Sequence, residues 1–280
     1  MLVIIRTFSA RTLFSLLLLI ATLLPTPLLA QETIRIGGTG TGLGTMILIA
    51  SAFQKQHPEI KIRIMPSIGS SGAIKATAQG ALDIGLNGRP LKDDEVKLGL
   101  VVTEYAKTPF VFAVRKDVPI EGLSSEELVK IYLGEMQTWP NGEWVRIVLR
   151  PASDADTIIA RGISPEMGMA LDHALAREGM LMAATNQESN EMIDRTSGSI
   201  GFSTLTQILT EHHPVKALAI NGVPPATNGS ANKRYPFMKT LSLLTKPTAP
   251  PAVQRFINFV RSPEGAAILQ KTGNIPVAGK

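Results

Sequence analysis

Three polar turns in the sequence carry the groups that could bind an anion. The first is GTGTGLGT, residues 38–45, which follows a β-branched run and precedes an apolar one. Its hydroxyl groups, on Thr39 and Thr41, alternate with glycines such as Gly40 that let backbone N–H groups approach a ligand. The stretch matches neither the dinucleotide pattern G-x-G-x-x-G nor a nucleotide phosphate loop. It therefore predicts an anion site or, alternatively, only a turn for tight strand–helix packing.

The second turn is SIGSSGAIKA, residues 67–76, where a strand-like segment passes into a helix-like one. The hydroxyls of Ser70 and Ser71, together with the free N–H groups of a helix's first turn, form the type of site that binds an anion. Ordinary N-capping by these serines is the alternative. A ligand site gains weight because the first turn lies at the same end of a predicted parallel sheet, where ligands collect.

The third turn is LRPASDADT, residues 149–157, in which Arg150 follows a strand-like run. Its guanidinium could bind an oxyanion through two parallel hydrogen bonds, while Ser153 and Thr157 flank a predicted helix start. Asp154 and Asp156 could cap that helix, which is the interpretation we favour for Asp156. For Arg150 the alternative is a surface ion pair, and we favour a position facing the ligand.

A further segment, DIGLNGRPL at residues 83–91, adds Asn87 and Arg89 to the candidate groups. Either side chain could face the same ligand. Arg89 precedes a proline, so bracing of its own loop is an equal alternative for this residue.

The elements that must position these turns alternate between strand-like and helix-like segments in the first part of the chain. Such alternation predicts an α/β fold with parallel strands and crossover helices. Two extended connectors, near residues 108–116 and 236–246, would join two lobes and form a hinge beside a cleft. We therefore predict lobe 1 over residues 31–112, lobe 2 over 113–235, and a return to lobe 1 over 236–280.

Residues 1–30 have the organisation of a secretory signal peptide. Arg6 precedes the apolar run RTLFSLLLLIATLL and Arg11 is its first residue, and Ala30 stands at the expected cleavage point. An uncleaved membrane anchor is the alternative, but Pro25 interrupts the run before it reaches the ~20 residues that span a membrane. We therefore expect an exported protein of the periplasm.

The composition excludes several classes of function. The sequence has no cysteine, which excludes disulfides, thiol catalysis and lipid attachment at cysteine. Removing the two arginines of the leader from the 28 basic residues leaves 26 against 23 acidic ones, a net charge of +3. This mild excess contains no basic run, so we expect no nucleic-acid partner.

The candidate turns also lack the groups of an enzyme. The four histidines, His57, His173, His212 and His213, lie away from them, and neither H-E-x-x-H nor G-x-S-x-G occurs. We therefore predict a binding protein with no catalytic residue, cofactor or metal. A phosphate-ester hydrolase built on Asp154 is the least favoured alternative.

Seven segments of the chain follow one another in a recognisable order: GTGTGLGT, SIGSSGAIKA, DIGLNGRPL, TPFVFAVRKD, GSIGFSTL, YPFMKTLSLLTK and FINFVRSPEGAAIL. In order and spacing they resemble the phosphate-binding proteins of ABC importers. The resemblance implies a type II two-lobed periplasmic binding protein, with a mixed sheet flanked by helices in each lobe. It implies that phosphate or a related tetrahedral oxyanion binds between the lobes and is delivered to an ABC permease in the inner membrane. We expect the protein to be a monomer.

The resemblance also implies which residues hold the ligand: Thr39 and Thr41 in the first turn, Ser70, Ser71 and Gly72 in the second, and Arg150 with the residues after it in the third. Two departures bear on the ligand. Where the family commonly continues with Gly-Ser-Gly-Thr-Thr, this chain has SDADT at residues 153–157, and Gly88 stands where phosphate-binding members carry an aspartate.

These departures leave the identity of the ligand open. One hypothesis is that Asp154 accepts a hydrogen bond from a protonated oxyanion, which would favour phosphate over sulfate. The equal alternative is that Asp154 points away and only caps a helix. A receptor-type binding protein for another ligand, acting with a membrane sensor, is the second function that the sequence allows.

Overall fold

The structure is a computed structural model that describes residues 32–277, so the predicted signal peptide lies outside the described residues. The helices in this range are α1 (Leu43–Gln56), α2 (Gly69–Ala78), α3 (Asp93–Val96), α4 (Ser125–Leu133), α5 (Ala155–Arg161), α6 (Pro165–Ala176), α7 (Asn186–Arg195), α8 (Leu205–Glu211), α9 (Pro251–Val260) and α10 (Pro263–Lys271). Over residues 32–277, no helix combines the length and apolarity needed to cross a membrane.

The strands in the same range are β1 (Glu32–Gly38), β2 (Ile60–Ile64), β3 (Ile84–Asn87), β4 (Val101–Arg115), β5 (Gly122–Leu123), β6 (Arg146–Leu149), β7 (Leu181–Met182), β8 (Ser199–Thr204), β9 (Val215–Ala217), β10 (Ala219–Ile220), β11 (Ala226–Thr227), β12 (Ser230–Ala231), β13 (Met238–Thr245) and β14 (Ile275–Pro276). Most of them join one mixed sheet, whose main path has the order β2-β1-β3-β13-β4-β8-β6-β7. The parallel pairing predicted for the first part of the chain is confirmed for β2-β1-β3. β13 and β4 then run antiparallel to their neighbours and link this part to the parallel strands β8, β6 and β7.

Two separate hydrophobic cores divide the fold into two lobes. One core is drawn from residues 34–106 and 241–269, with Phe53 fully buried in it. The other lies within residues 110–235 and is built around aromatic side chains such as Phe202. The predicted fold class, a two-lobed α/β protein with mixed sheets flanked by helices, is therefore confirmed.

The two extended connectors between the lobes are strands that pair with each other. β4 and β13 run antiparallel, from Met238 opposite Pro109 to Thr245 opposite Val101. β4 begins well before the apolar run that predicted it, because its more polar first half is held by pairing with β13 on one side and β14 on the other. The predicted lobe limits at 112 and 236 fall inside β4 and just before β13, and they stay a prediction.

Hydroxyl caps fix the starts of several helices. Ser124, Ser164 and Ser262 each accept a hydrogen bond from the backbone N–H three residues further on. Such caps satisfy one of the N–H groups that a helix start leaves without a partner. The capped helices α4, α6 and α10 therefore begin directly after these serines.

Candidate ligand-binding cleft

The second and third predicted turns meet between the two lobes. The start of α2 in lobe 1 and the start of α5 in lobe 2 face each other across a cavity of about 290 Å³. We call this space the outer cavity; it is lined by Ser67, Ile68, Gly69, Ser70, Ser71, Pro151, Ser153, Asp154, Ala155, Ala184 and Thr185. Four of the predicted ligand residues are therefore brought together around one space.

The lobe 1 wall of the outer cavity is the first turn of α2. The residue that precedes this helix is Ile68, and no side chain caps the helix start. Ser70 Oγ accepts from the Gly88 N–H at 3.0 Å, and Ser71 Oγ accepts from Arg89 Nη2 at 2.9 Å. The capping interpretation of the two serines is therefore wrong. Because a hydroxyl that accepts one hydrogen bond can still donate its proton, both can donate to an anion.

Arg150 on the lobe 2 side is buried, with its side chain only 1% exposed. Its Nη2 donates to Asp154 Oδ2 at 2.7 Å and its Nε to Asp154 Oδ1 at 3.3 Å. Nη1 donates to the carbonyl oxygen of Ala183 at 2.9 Å. The alternative of a surface ion pair is wrong, because the guanidinium is buried. Its charge is nonetheless balanced by a carboxylate four residues away.

Asp154 combines the two roles that the sequence presented as alternatives. Its Oδ1 accepts from the N–H of Asp156 at 2.9 Å and so caps α5, as the second alternative proposed. It does not point away, since its carboxylate is 14% exposed and lines the outer cavity beside Ser153. Thr157 Oγ1 donates to the Arg150 carbonyl at 3.1 Å and holds the turn together.

Asp156 is not a helix cap, which corrects the interpretation favoured from the sequence. The carboxylate is buried and forms an ion pair with the ammonium of Lys239. Asn186 Nδ2 donates to Asp156 Oδ2 at 2.6 Å, and Lys239 Nζ donates to Thr41 Oγ1 at 2.9 Å. We call these four residues the inner cleft. They join a strand and a turn of lobe 1 to two helices of lobe 2.

Lys239 is the principal residue of the cleft that the sequence reasoning missed. It lies in β13 two residues before Leu241, and both side chains are 1% or less exposed. Residues two apart in a strand share one face, so Lys239 lies on the same core-facing side as Leu241, and a lysine there needs a charged partner. This position in the strand is the signal that could have identified Lys239. Gly88 gives it room, because a Cβ at this glycine would lie 2.5 Å from Lys239 Cε.

The first turn packs against lobe 2 and does not line the outer cavity. The Thr39 N–H donates to the Leu86 carbonyl at 2.9 Å, and both threonine side chains of the turn are buried. The Gly40 carbonyl accepts from Gln187 Nε2 at 3.2 Å. A Cβ at Gly40 would lie 2.4 Å from Gln187 Oε1, so glycine is required for this approach. Gly40 is therefore explained by contact with a helix of lobe 2, which neither interpretation of the sequence described.

Arg89 braces its own loop and also holds the second turn. Its guanidinium forms two 2.7 Å hydrogen bonds with the Glu95 carboxylate and donates to Ser71. These hydrogen bonds from Arg89 lower the pKa of Glu95 to about 2. Asn87 Nδ2 donates to the Arg89 carbonyl at 2.6 Å, so this side chain too is engaged within the loop.

Two larger cavities lie outside the outer cavity. One, of about 540 Å³, borders Asn87 and Arg89 and is otherwise lined largely by side chains of α3, β4 and β13. The other, of about 590 Å³, lies in lobe 2 beside Trp144 and Arg177 and contains no predicted ligand residue. The outer cavity is the candidate site because it alone of these three brings hydroxyl groups from both lobes together.

Comparisons with known proteins agree with this architecture. The sequence profile of the PBP superfamily domain matches residues 26–264. The phosphate-binding protein PstS of Bacillus subtilis is 25% identical over 254 residues, covering 89% of this chain and 82% of its own length. PstS of Borreliella burgdorferi is 22% identical over 250 residues, covering 87% and 89%.

Solved structures show the same fold. A Clostridium perfringens protein, described as a phosphate ABC transporter substrate-binding protein with bound phosphate, superposes with a TM-score of 0.75 at 22% identity. That match covers 88% of this chain and all of the other. An ABC-type phosphate transport receptor from Vibrio cholerae gives a TM-score of 0.61 at 20% identity, covering 86% and 99%.

Proposed function

Because the chain belongs to the PBP superfamily, we propose that it is a solute-binding protein that captures inorganic phosphate or a related tetrahedral oxyanion in the outer cavity. The observation that carries this proposal is the meeting of Ser70 and Ser71 with Ser153 across a space between the lobes. Hydroxyl groups and the uncapped N–H groups of α2 supply hydrogen-bond donors to an anion there.

The relatives support phosphate as the ligand. The Bacillus subtilis relative is named as a phosphate-binding protein, and the Clostridium perfringens structure contains phosphate. The predicted ligand set comprises Thr39, Gly40, Thr41, Ser70, Ser71, Gly72, Asn87, Arg89, Arg150, Ser153, Asp154 and Thr157. Of these we assign direct contact to those that line the outer cavity. We assign Thr41, Arg89 and Arg150 supporting roles, because their polar groups already bind other side chains.

The proposed setting is the bacterial periplasm, with the signal peptide cleaved near Ala30 and delivery of the ligand to an ABC permease in the inner membrane. We propose a monomer without cofactor or catalytic activity. Asp154 would be the nucleophile of a hydrolase, but its two oxygens already accept from Arg150 and from the backbone of α5. Within residues 32–277 there is no group of three metal-ligating side chains that could assist hydrolysis.

One observation favours a second candidate, a receptor-type binding protein for a different ligand. Lys239 and Arg150 each have a carboxylate partner inside the protein, so neither offers an unbalanced charge to a ligand. A ligand other than a free inorganic dianion would not need an unpaired cation in the protein, so it is compatible with these two internal ion pairs. The fold and the cleft would be the same in both candidates.

Titration of the mature chain by isothermal calorimetry tests the proposed function. We expect phosphate to bind, and the double variant Ser70→Ala/Ser71→Ala to weaken its binding by at least about tenfold, since two donors are lost. Ser262→Ala is the matched control, because it removes the serine cap of α10, which does not line the cavity, and should leave affinity unchanged. Binding of molybdate, tungstate or sulfate in place of phosphate would assign a related oxyanion. No binding of any of the four would contradict the proposal.

A further inference from the structure

The inner cleft contains a buried ion pair that links the two lobes. The side chains of Lys239 and Asp156 are 0% and 1% exposed, and the two residues lie 83 positions apart in the sequence. Asn186 donates to the second oxygen of the Asp156 carboxylate, and Thr41 accepts from the lysine. Both charged groups are thus held by partners from the two lobes.

Space for this lysine depends on a residue with no side chain. Gly88 follows β3, and a Cβ there would approach Lys239 Cε to 2.5 Å and Nζ to 3.3 Å. A Cβ at position 88 would therefore require the end of the Lys239 side chain to shift. The absence of a side chain at Gly88 therefore leaves the space in which the Lys239 ammonium lies beside Asp156.

The buried cations around the cleft are each balanced by a carboxylate. Arg150 pairs with Asp154, Lys239 with Asp156, and Arg89 with Glu95. A dianion that enters the outer cavity gives up its hydration and approaches the Asp154 carboxylate, while no cation of these three pairs is unbalanced. An anion of single charge, or an oxyanion that carries its own positive group, incurs less of this repulsion.

From this balance we infer that the Lys239–Asp156 pair determines specificity, making the cleft favour monoanionic or zwitterionic oxyanions over dianions. The inference rests on the proposed function, since it describes the ligand class of the same site. Asp156 acts through Lys239: as long as its carboxylate is present, the ammonium is neutralised and cannot add its charge to the binding of a ligand.

The variant Asp156→Asn tests the inference with two sulfur oxyanions of fixed charge at neutral pH. Sulfate is a dianion, and methanesulfonate is a monoanion of similar size. With the Asp156 carboxylate removed, no charge of the protein neutralises the Lys239 ammonium, so we expect sulfate affinity to rise by at least about tenfold. Methanesulfonate affinity should rise less. Asp172→Asn is the matched control, since it removes a carboxylate from an exposed pair with Arg161 outside the cleft.

Two further variants keep the test decisive. Asp156→Asn/Lys239→Met removes both charges and should abolish the gain in sulfate affinity, which separates the effect of charge from that of space. Should Asp156→Asn fail to fold, Asp156→Thr retains a hydroxyl that accepts from the lysine and carries the same test. A folded variant whose sulfate affinity is unchanged or weaker overturns the inference.

The inference and the proposed function fail in different ways. The proposed function is read from the wild-type chain, which must bind phosphate or a related oxyanion. The inference is read from the ratio of sulfate affinities between variant and wild type. A wild-type chain that binds phosphate, together with an Asp156→Asn variant whose sulfate affinity does not rise, would support the function and refute the inference. A wild-type chain that binds none of the oxyanions would refute the proposed function, on which the inference rests.

Discussion

The inner cleft and the outer cavity lie side by side, yet they use polar residues in opposite ways. In the inner cleft, Lys239 and Asp156 are fully buried and bind each other, Thr41 and Asn186. In the outer cavity, the hydroxyls of Ser70 and Ser71 and the Asp154 carboxylate border open space. The difference shows that charge alone does not mark the ligand site, because the most deeply buried charges are the ones already satisfied.

The comparison predicts that the inner cleft contributes to stability and to the charge preference of the site, and that the outer cavity contributes the direct contacts with the ligand. A buried charge that loses its partner is strongly destabilising, whereas removal of both partners is tolerated far better. A hydroxyl at the edge of a cavity contributes less to folding, and its loss is felt when a ligand binds. Substitutions in the two regions should therefore separate these quantities.

The largest expected effect is that of Lys239→Met. It leaves the buried Asp156 carboxylate without its charged partner, so we expect the free energy of unfolding to fall by about 3–5 kcal/mol. Urea denaturation followed by circular dichroism measures it. Arg161→Met, which breaks the exposed pair with Asp172, should cost less than about 1 kcal/mol.

The double variant Lys239→Met/Asp156→Asn should recover most of that loss, because neither charge is then left unpaired. A single variant as stable as the wild type would mean that the inner pair adds nothing to folding. The contrast drawn between the two regions would then be lost.

A smaller, pH-dependent effect is expected from Glu95, which supports the outer cavity through Arg89 and Ser71. Hydrogen bonding to Arg89 lowers the pKa of Glu95 to about 2 in the folded protein. A carboxyl whose folded pKa is depressed adds stability above its unfolded pKa, about 4.3, and loses it as the pH falls towards 2. We expect Glu95 to contribute about 1–2 kcal/mol at neutral pH.

The variant Glu95→Gln should lose this contribution, and its urea midpoint should fall less than that of the wild type between about pH 5 and pH 2.5. Glu178→Gln, at an exposed position, is the control for the removal of one carboxylate. If the urea midpoints of Glu95→Gln and of the wild type change with pH in parallel, the Arg89–Glu95 pair does not stabilise the second turn.

The sequence predicted the parts of this molecule that depend on local pattern. The alternation of strand-like and helix-like segments indicated the α/β fold, and the serine directly before each of α4, α6 and α10 is a local signal of a helix start. Ser70 and Ser71 became candidates because polar residues at the carboxyl ends of parallel strands meet at one edge of a sheet, and their contact with a ligand stays a prediction. These signals extend over only a few residues.

The parts that the sequence did not predict depend on pairing between distant segments. Asp156 was interpreted as a cap because its neighbours suggest a helix start, while its true partner, Lys239, lies across the cleft. The role of Gly88 depends on the same lysine, which lies in β13, far from Gly88 in the sequence. The first half of β4 was missed because its pairing with β13 and β14, rather than its own apolarity, makes it a strand.

The smallest expected effect concerns Asp154, a carboxylate that belongs both to a buried ion pair and to the lining of the outer cavity. Monohydrogen phosphate carries a proton that this carboxylate can accept, whereas sulfate carries none and faces an unpaired acceptor. Asp154→Asn replaces the carboxylate with a neutral amide that can donate as well as accept. Asparagine also caps helices well, so α5 should keep its start.

We therefore expect Asp154→Asn to weaken phosphate and strengthen sulfate, changing the ratio of their dissociation constants by about tenfold, which corresponds to about 1.4 kcal/mol. Calorimetric titration of both anions against the variant and the wild type measures that ratio. The ratio is used because a shift of the Arg150 guanidinium in the variant would alter both affinities together and leave their ratio unchanged. A ratio that stays constant would therefore restrict Asp154 to its cap and its ion pair, and selectivity would have to come from the hydroxyls on the opposite wall.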